Sequence, residues 1–257
     1  MYKLNHTSAF FRYRDIDELI VNCIRKMHNK NTPLNILSIG CSYGEEPYSY
    51  AVALDDLKPK PNIIGFDVSQ EAISHAKEGK FLLSDREVEY LFSEQQQIYQ
   101  KEEPSEFKLK LRYGFQNNFK KTSYVDPEFQ KKDNALKNCQ FHVGDVTKLK
   151  EMYDKESQDV ILCRYVLYHL STNEIQQAFK DIYETLKPGG LFCIEPTQYH
   201  CYQFDIVRCG FKQPFRSAPC IFQKPIEPKG IKNSFKQLKN NYMIWKSNHK
   251  PNLDDIE

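Results

Sequence analysis

Glu45 and Glu46 stand side by side between Gly44 and Pro47, at the end of the run Gly40-Cys41-Ser42-Tyr43-Gly44. Glycine at both ends of a tight turn lets the backbone take positive φ and lets a ligand come close to it. Pro47 suits the first turn of a helix, where its missing amide hydrogen is not needed. The preceding residues, Ile36-Leu37-Ser38-Ile39, read as a short buried strand. A strand, a glycine turn and a helix N-terminus make a nucleotide-type pocket. Such a terminus ordinarily draws phosphate, but two carboxylates beside the free amides oppose an anion and favour a cationic ligand group.

S-adenosylmethionine (SAM) carries an ammonium group and meets that requirement. Two glycines alone would read equally well as an ordinary strand-to-helix turn; the acidic pair tips the reading toward SAM. Other groups able to do chemistry follow short apolar runs. They are Asp67 after Ile63-Ile64-Gly65-Phe66, Gly144-Asp145-Val146 after Cys139–Val143, and Arg164–His169 after Gln158–Cys163. Arg12 follows two phenylalanines, where a guanidinium fork is expected to grip something. His169 could act as a general base on the acceptor side, or could only support its loop by a hydrogen bond.

The elements that must position these groups alternate between two periods. Ile16, Leu19, Ile20, Cys23, Ile24 and Met27 recur at helical spacing over 15–29. A helix is expected from the glycine turn through Tyr48, Val52 and Leu57, broken by Lys58-Pro59-Lys60-Pro61. Another runs from Gln70 to Glu78 and stops at Gly79. Regularity returns with strands at 139–143 and 158–163 and a helix from Thr172 to Leu186. Lys187-Pro188-Gly189-Gly190 is expected to end that helix before a strand at 191–194, and 209–212 with 219–223 read as a closing hairpin. Five apolar strands alternating with helices predict an α/β fold, a mostly parallel sheet covered on both faces. Ligands of such sheets bind beyond the carboxyl ends of the strands, where all the groups above collect.

Between Leu82 and Lys137 the pattern loosens, with strands expected at 107–113 and 119–125. A stretch of this kind reads as an insertion that carries acceptor recognition, or as a surface loop. The fold is expected to close without it. Residues 1–225 then form the domain, and 226–257 a lysine-rich, disordered or partly helical tail holding the only tryptophan, Trp245.

Among 257 residues, 40% are hydrophobic and 27% charged, and the formal charge of +2 does not by itself imply a nucleic-acid partner. No run approaches the roughly 20 apolar residues of a membrane helix. Met1–His6 lacks the apolar core of a signal peptide, and the eight cysteines form no CxxC pair, so a cytoplasmic setting with reduced thiols is expected. No metal site is expected: His200, Cys201 and Cys209 match no usual ligand spacing.

Gly40-Cys41-Ser42-Tyr43-Gly44-Glu45-Glu46-Pro47-Tyr48-Ser49 resembles the G/A-C/A-S-x-G-E-E-P-Y-S run of the chemotaxis receptor methyltransferases (CheR type), a family of class I SAM-dependent methyltransferases. Phe10-Phe11-Arg12, with Ser8 two residues before it, is similar to that family's T-x-F-F-R motif. Cys163-Arg164-Tyr165-Val166 is similar to its C-R-N-V, and Ala76–Phe81 to its K-A-R-x-G-x-Y. The resemblance covers roughly residues 5–196. It implies a Rossmann-like, seven-stranded sheet with a terminal antiparallel hairpin, and a small antiparallel subdomain at the insertion. It also implies SAM as cofactor: Ser8 and Arg12 at the methionine end, Glu45 or Glu46 at the ammonium, Asp67 on the ribose hydroxyls, Asp145-Val146 at the adenine and Tyr165-Val166 beneath it.

Three positions depart from the family: Tyr165 stands where it has asparagine, His169 where it has tyrosine, and His6 where it has asparagine. The sequence also holds no counterpart of the helical domain that precedes T-x-F-F-R. Val166–Leu170 looks more like the V-L-x-H-L of general class I methyltransferases. Three readings stay open: transfer to a protein glutamate carboxylate or another acceptor, a non-catalytic SAM-binding sensor or scaffold, and a small-molecule methyltransferase. The oligomeric state is left open.

Overall fold

In the computed structural model, residues 8–92 and 105–226 are described. Met1–Lys224 form one compact unit, treated below. Pro225–Glu257 form a second, so the expected tail, like His6, lies almost wholly outside the described residues.

The unit is built on a six-stranded sheet. Its strands are β1 (Asn35–Ile39), β2 (Asn62–Asp67), β6 (Cys139–Val143), β7 (Gln158–Cys163), β8 (Leu186–Ile194) and β9 (Ile221–Gln223). Their order is β6-β2-β1-β7-β8-β9, parallel except for β9. Ile36, Leu37, Ile39 and all of β7 are buried, as expected of strands covered on both faces. Because β2 lies to one side of β1 and β7 to the other, the chain reverses direction there and opens a crevice at the strands' carboxyl ends.

Helices α1 (Arg14–Met27), α2 (Glu45–Ala53) and α3 (Gln70–Glu78) follow the sequence reading to within a few residues. In α1, acids in the first turn and Arg25 and Lys26 in the last oppose the helix dipole. Ser69 caps α3, and Gly79 ends it in the left-handed region.

Three expectations need correction. Lys187–Gly190 does not separate helix from strand: β8 begins at Leu186, and those residues bulge where Gln158 pairs Leu186 and Val160 pairs Leu191. The expected seventh strand over 209–212 shrinks to one bridge, Lys212 with Gln223, because Cys209 and Gly210, the latter at φ +107°, close a helix that ends at Arg208. A helix, Tyr199–Arg208, precedes it and was not read.

The third correction concerns the insertion. It carries β3 (Lys80–Leu82), α4 (Asp85–Phe92), α5 (Glu106–Asn118), β4 (Phe119–Lys121) and β5 (Glu128–Lys131). The three strands make an antiparallel sheet, as the resemblance implies. Residues 107–113, however, are helix. Phe107, Leu109, Leu111 and Tyr113 alternate like a strand, yet Phe107, Leu111 and Phe115, spaced by four, are the ones buried, while Tyr113 is exposed. Gly114 lets α5 lie against α2: a Cβ there would sit 2.6 Å from the Val52 carbonyl oxygen. Phe115 and Phe119 join the same core as Phe10, Tyr48 and Phe81, so this stretch packs as part of the main core and not as a separate appendage.

Candidate functional site

A cavity of about 350 Å³ opens at the carboxyl ends of β1, β2, β6 and β7. Its floor is the turn after β1. Gly40 has φ +67°, and a Cβ there would stand 2.3 Å from Val166 Cγ2, so only glycine lets the two loops meet. Ser42 donates its amide to Asp67 Oδ2 at 2.9 Å, and Ser69 donates to Oδ1 at 2.9 Å. Two backbone donors thus hold the Asp67 carboxylate facing the crevice. Asp145 caps the short turn at 146–148, accepting from the Thr147 amide and hydroxyl through Oδ1.

The wall beside α2 is acidic. Glu46 accepts from Ser38 Oγ at 2.7 Å and lies 3.3 Å from Arg164 Nε. Arg164, itself buried, also pairs with Asp17 at 2.7 Å and donates to the Tyr50 hydroxyl at 2.8 Å. Asp17, Glu46 and Arg164 all line the cavity, so two carboxylates share one guanidinium and leave net negative charge on that wall. Burial pushes the Glu46 carboxyl up from its ordinary value, against Arg164 and Ser38.

The segment 8–13 crosses the cavity as an arm. Phe10 donates its amide to Glu87 of α4 at 2.7 Å, and Phe11 to Ser49 of α2 at 3.0 Å. Phe10 and Phe11 are buried, while Arg12 is exposed and lays its guanidinium 3.9 Å from the Tyr165 ring centroid. Tyr165 takes φ +59°, in the left-handed region that residues other than glycine rarely occupy. His169, on the exposed rim, packs beside Tyr168 with ring centroids 3.9 Å apart.

Of the residues singled out in the sequence, Ser8, Arg12, Gly40, Cys41, Ser42, Glu46, Asp67, Asp145, Val146, Tyr165, Val166 and His169 line this cavity. Gly44 and Glu45 do not. Gly44 caps α2 and faces Ala76 and Phe141. Glu45 turns from the cavity toward the arm, hydrogen-bonds Ser8 and feels Glu87, which leaves Glu46 as the member of the pair that faces a ligand. Burial raises the Glu45 carboxyl from 4.5 to about 7. The folded chain therefore favours its neutral form, and the stability this contributes is full below about pH 4.5 and lost as pH rises through 7. Glu45→Gln is expected to remove that dependence. Urea unfolding at pH 5 and pH 8 should show the variant gaining on the wild type by on the order of 2–3 kcal/mol between them.

Sequence reading missed Asp17, Tyr13 and Glu195. Asp17 falls on the buried face of α1 with Ile20, Val21 and Ile24, at spacings of three, four and seven. An acid on an apolar stripe was the available signal. Glu195 ends β8 as Asp67 ends β2, and is fully buried.

The donor set suits SAM: acids for the ammonium, a carboxylate at the end of β2 for hydroxyls, and a glycine floor for close approach. Residues 5–122 match the family described as CheR methyltransferase, SAM binding domain, and residues 115–194 match a methyltransferase domain family. The fold and the site define a class I SAM-dependent methyltransferase domain, with SAM as its cofactor. Within that class its likeness is to the CheR type. Chemotaxis protein methyltransferase 2 of Vibrio cholerae is 26% identical over 68% of this chain and 54% of its own length. The chemotaxis protein methyltransferase of Listeria innocua is 26% identical over 74% and 63%. Chemotaxis protein methyltransferase 2 of Pseudomonas aeruginosa is 34% identical over a shorter 30% and 29%. The chain thus spans about half the length of the first of these relatives. Among the described residues, no helix is long and apolar enough to cross a membrane.

Proposed function

We propose that this chain moves a methyl group from SAM to an acceptor that enters beside Arg12 and His169. The acidic wall carries the reading: Glu46 and Asp17 over-compensate Arg164 on the inner side of the cavity, which suits the ligand's ammonium and sulfonium charges. Asp67 takes the ribose hydroxyls, Asp145 and Val146 the adenine and Val166 its underside; Ser8 and Arg12 take the methionine end, and Tyr165, whose ring carries the Arg12 guanidinium, belongs with them rather than under the adenine. When bound, SAM supplies an electrophilic methyl carbon. The protein's part is to orient the acceptor in line and to exclude water, which the arm across the cavity supports.

The relatives are named as chemotaxis protein methyltransferases, which favours a protein acceptor, and the CheR resemblance implies a glutamate carboxylate on it. An ionised carboxylate needs no base, so the reaction would then rest on positioning alone. Residues 82–137 are the part of the domain proposed to read a protein acceptor. The hairpin tip between β4 and β5 supports this, since Tyr124 and Val125 are both almost fully exposed there.

Calorimetry with SAM and S-adenosylhomocysteine tests the reading. Both should bind, and Asp67→Ala should weaken binding by about 1–3 kcal/mol, the cost of leaving buried polar groups without partners. Absence of binding at millimolar ligand would refute it. Binding with no transfer of labelled methyl to any component of a cell lysate would instead identify a sensor or scaffold.

A further inference from the structure

Three residues from distant parts of the chain form a hydrogen-bonded file that leads from the cavity wall inward to the fully buried Glu195. The Tyr13 hydroxyl donates to Glu195 Oε1 and also meets the Tyr165 hydroxyl. The rings of Tyr13 and Tyr165 lie nearly parallel, 16° apart, with centroids at 6.5 Å. Of the three, only Tyr165 lines the cavity.

Counting protons orients the file. A phenol has one hydrogen to give. Tyr13 gives its own to Glu195, so in the contact with Tyr165 its oxygen accepts, and Tyr165 must donate. The Tyr165 oxygen then has only lone pairs left for whatever enters the cavity. A carboxylate, itself a pure acceptor, has no hydrogen to offer it. An alcohol, phenol or amine does. At the far end, Glu195 Oε2 is buried and has no hydrogen-bond partner among the described residues. Glu195 thus holds the Tyr13 hydroxyl on Oε1, together with the Thr197 amide and hydroxyl, and Oε1 is the atom to which a proton passing through Tyr13 comes.

We propose that Tyr165, Tyr13 and Glu195 carry a proton away from an acceptor bearing an O–H or N–H group, so that the acceptor is a protic nucleophile rather than a carboxylate. The proposal rests on the methyltransferase reading and deepens it. As the acceptor's oxygen or nitrogen bonds to the methyl carbon, the carbon–sulfur bond breaks and its electron pair stays on sulfur as a neutral thioether. The acceptor's proton passes to the Tyr165 oxygen, the Tyr165 proton to the Tyr13 oxygen, and the Tyr13 proton to Glu195. Burial first, and the bond to Glu195 second, push Tyr13 above the usual phenol range, so it gains one proton as it loses the other and never stands as phenolate. Tyr165 is the residue that touches the acceptor, and Tyr13 and Glu195 act through it. Tyr165 occupies the position at which the sequence departs from the CheR-type C-R-N-V run.

The test uses the full chain, labelled SAM and a cell lysate as the source of acceptors. Methyl label that survives mild base is expected, since ethers and methylamines are stable there and carboxyl esters are not. Tyr165→Phe keeps the ring under Arg12 and should lower the rate at saturating SAM by about 10²–10⁴, so that any change in SAM affinity, read separately by calorimetry, does not enter the comparison. The wild type should show a normal solvent deuterium isotope effect that Tyr165→Phe loses. Independently of turnover, proton NMR of the purified protein should show two downfield tyrosine hydroxyl protons, one removed by Tyr165→Phe and the other shifted by Glu195→Gln. Base-labile label would overturn the proposal and leave the methyltransferase reading intact. So would an active Tyr165→Phe variant, or the absence of both hydroxyl resonances. Binding of SAM with no label transferred would overturn both.

Discussion

Asp17→Ala is expected to lower the stability of the folded chain by about 3–5 kcal/mol, the range for removing one partner of a buried ion pair. Asp17 is 3% exposed and accepts from Arg164, from the Tyr50 hydroxyl at 2.8 Å and from the Tyr13 amide at 3.1 Å. Truncation leaves the buried Arg164 with Glu46 as its remaining carboxylate partner, takes the acceptor from the Tyr50 hydroxyl, and frees the start of α1. For a domain of this size the melting temperature should drop by roughly 6–20 °C. Asp17→Asn, which keeps the shape and loses the charge, should recover part of that loss. A melting curve unchanged by Asp17→Ala would mean that the guanidinium is satisfied elsewhere.

Phe115→Ala should have an effect of similar size, about 3–5 kcal/mol, from lost burial and the cavity left behind. Phe115 is fully buried; it stacks on Phe119 with centroids 4.6 Å apart and meets the edges of Phe10 and Phe129 at 5.4 and 5.3 Å. The ring thus joins the arm, the insertion and the main core. If the insertion were an accessory, the change would loosen only the hairpin at 119–131 and leave global urea unfolding as it was. A fall in the midpoint for the whole domain is the expected result.

The parallel core was legible in the sequence because its strands are short, apolar and bounded by glycine or acid, as at Ile36–Gly40 and Ile63–Asp67. Those acids and glycines also marked the cavity, since strand ends are where such a sheet binds. The insertion was half legible: its aromatics showed that it carried structure, but Phe107–Tyr113 fits a period of two and a period near four equally well, and packing against Val52 decided between them. Between Glu45 and Glu46 no local rule chooses; the hydrogen bond from Ser38 and the charge of Arg164 turn the second one inward. The file from Tyr165 to Glu195 left no trace in spacing, because its members meet only across the folded chain.

That last separation has a consequence for how the protein is made. Asp17 finds Arg164 147 residues later, and Tyr13 finds Glu195 182 residues later. At roughly 5–20 residues per second of synthesis, the arm waits on the order of ten to forty seconds for its partners to leave the ribosome. During that interval the acid at 17 has no guanidinium to pair with and the Tyr13 hydroxyl no carboxylate, although the core partners of Phe10 and Phe11 between 48 and 119 are already made. The polar groups of the arm are thus translated well before the residues that seat them.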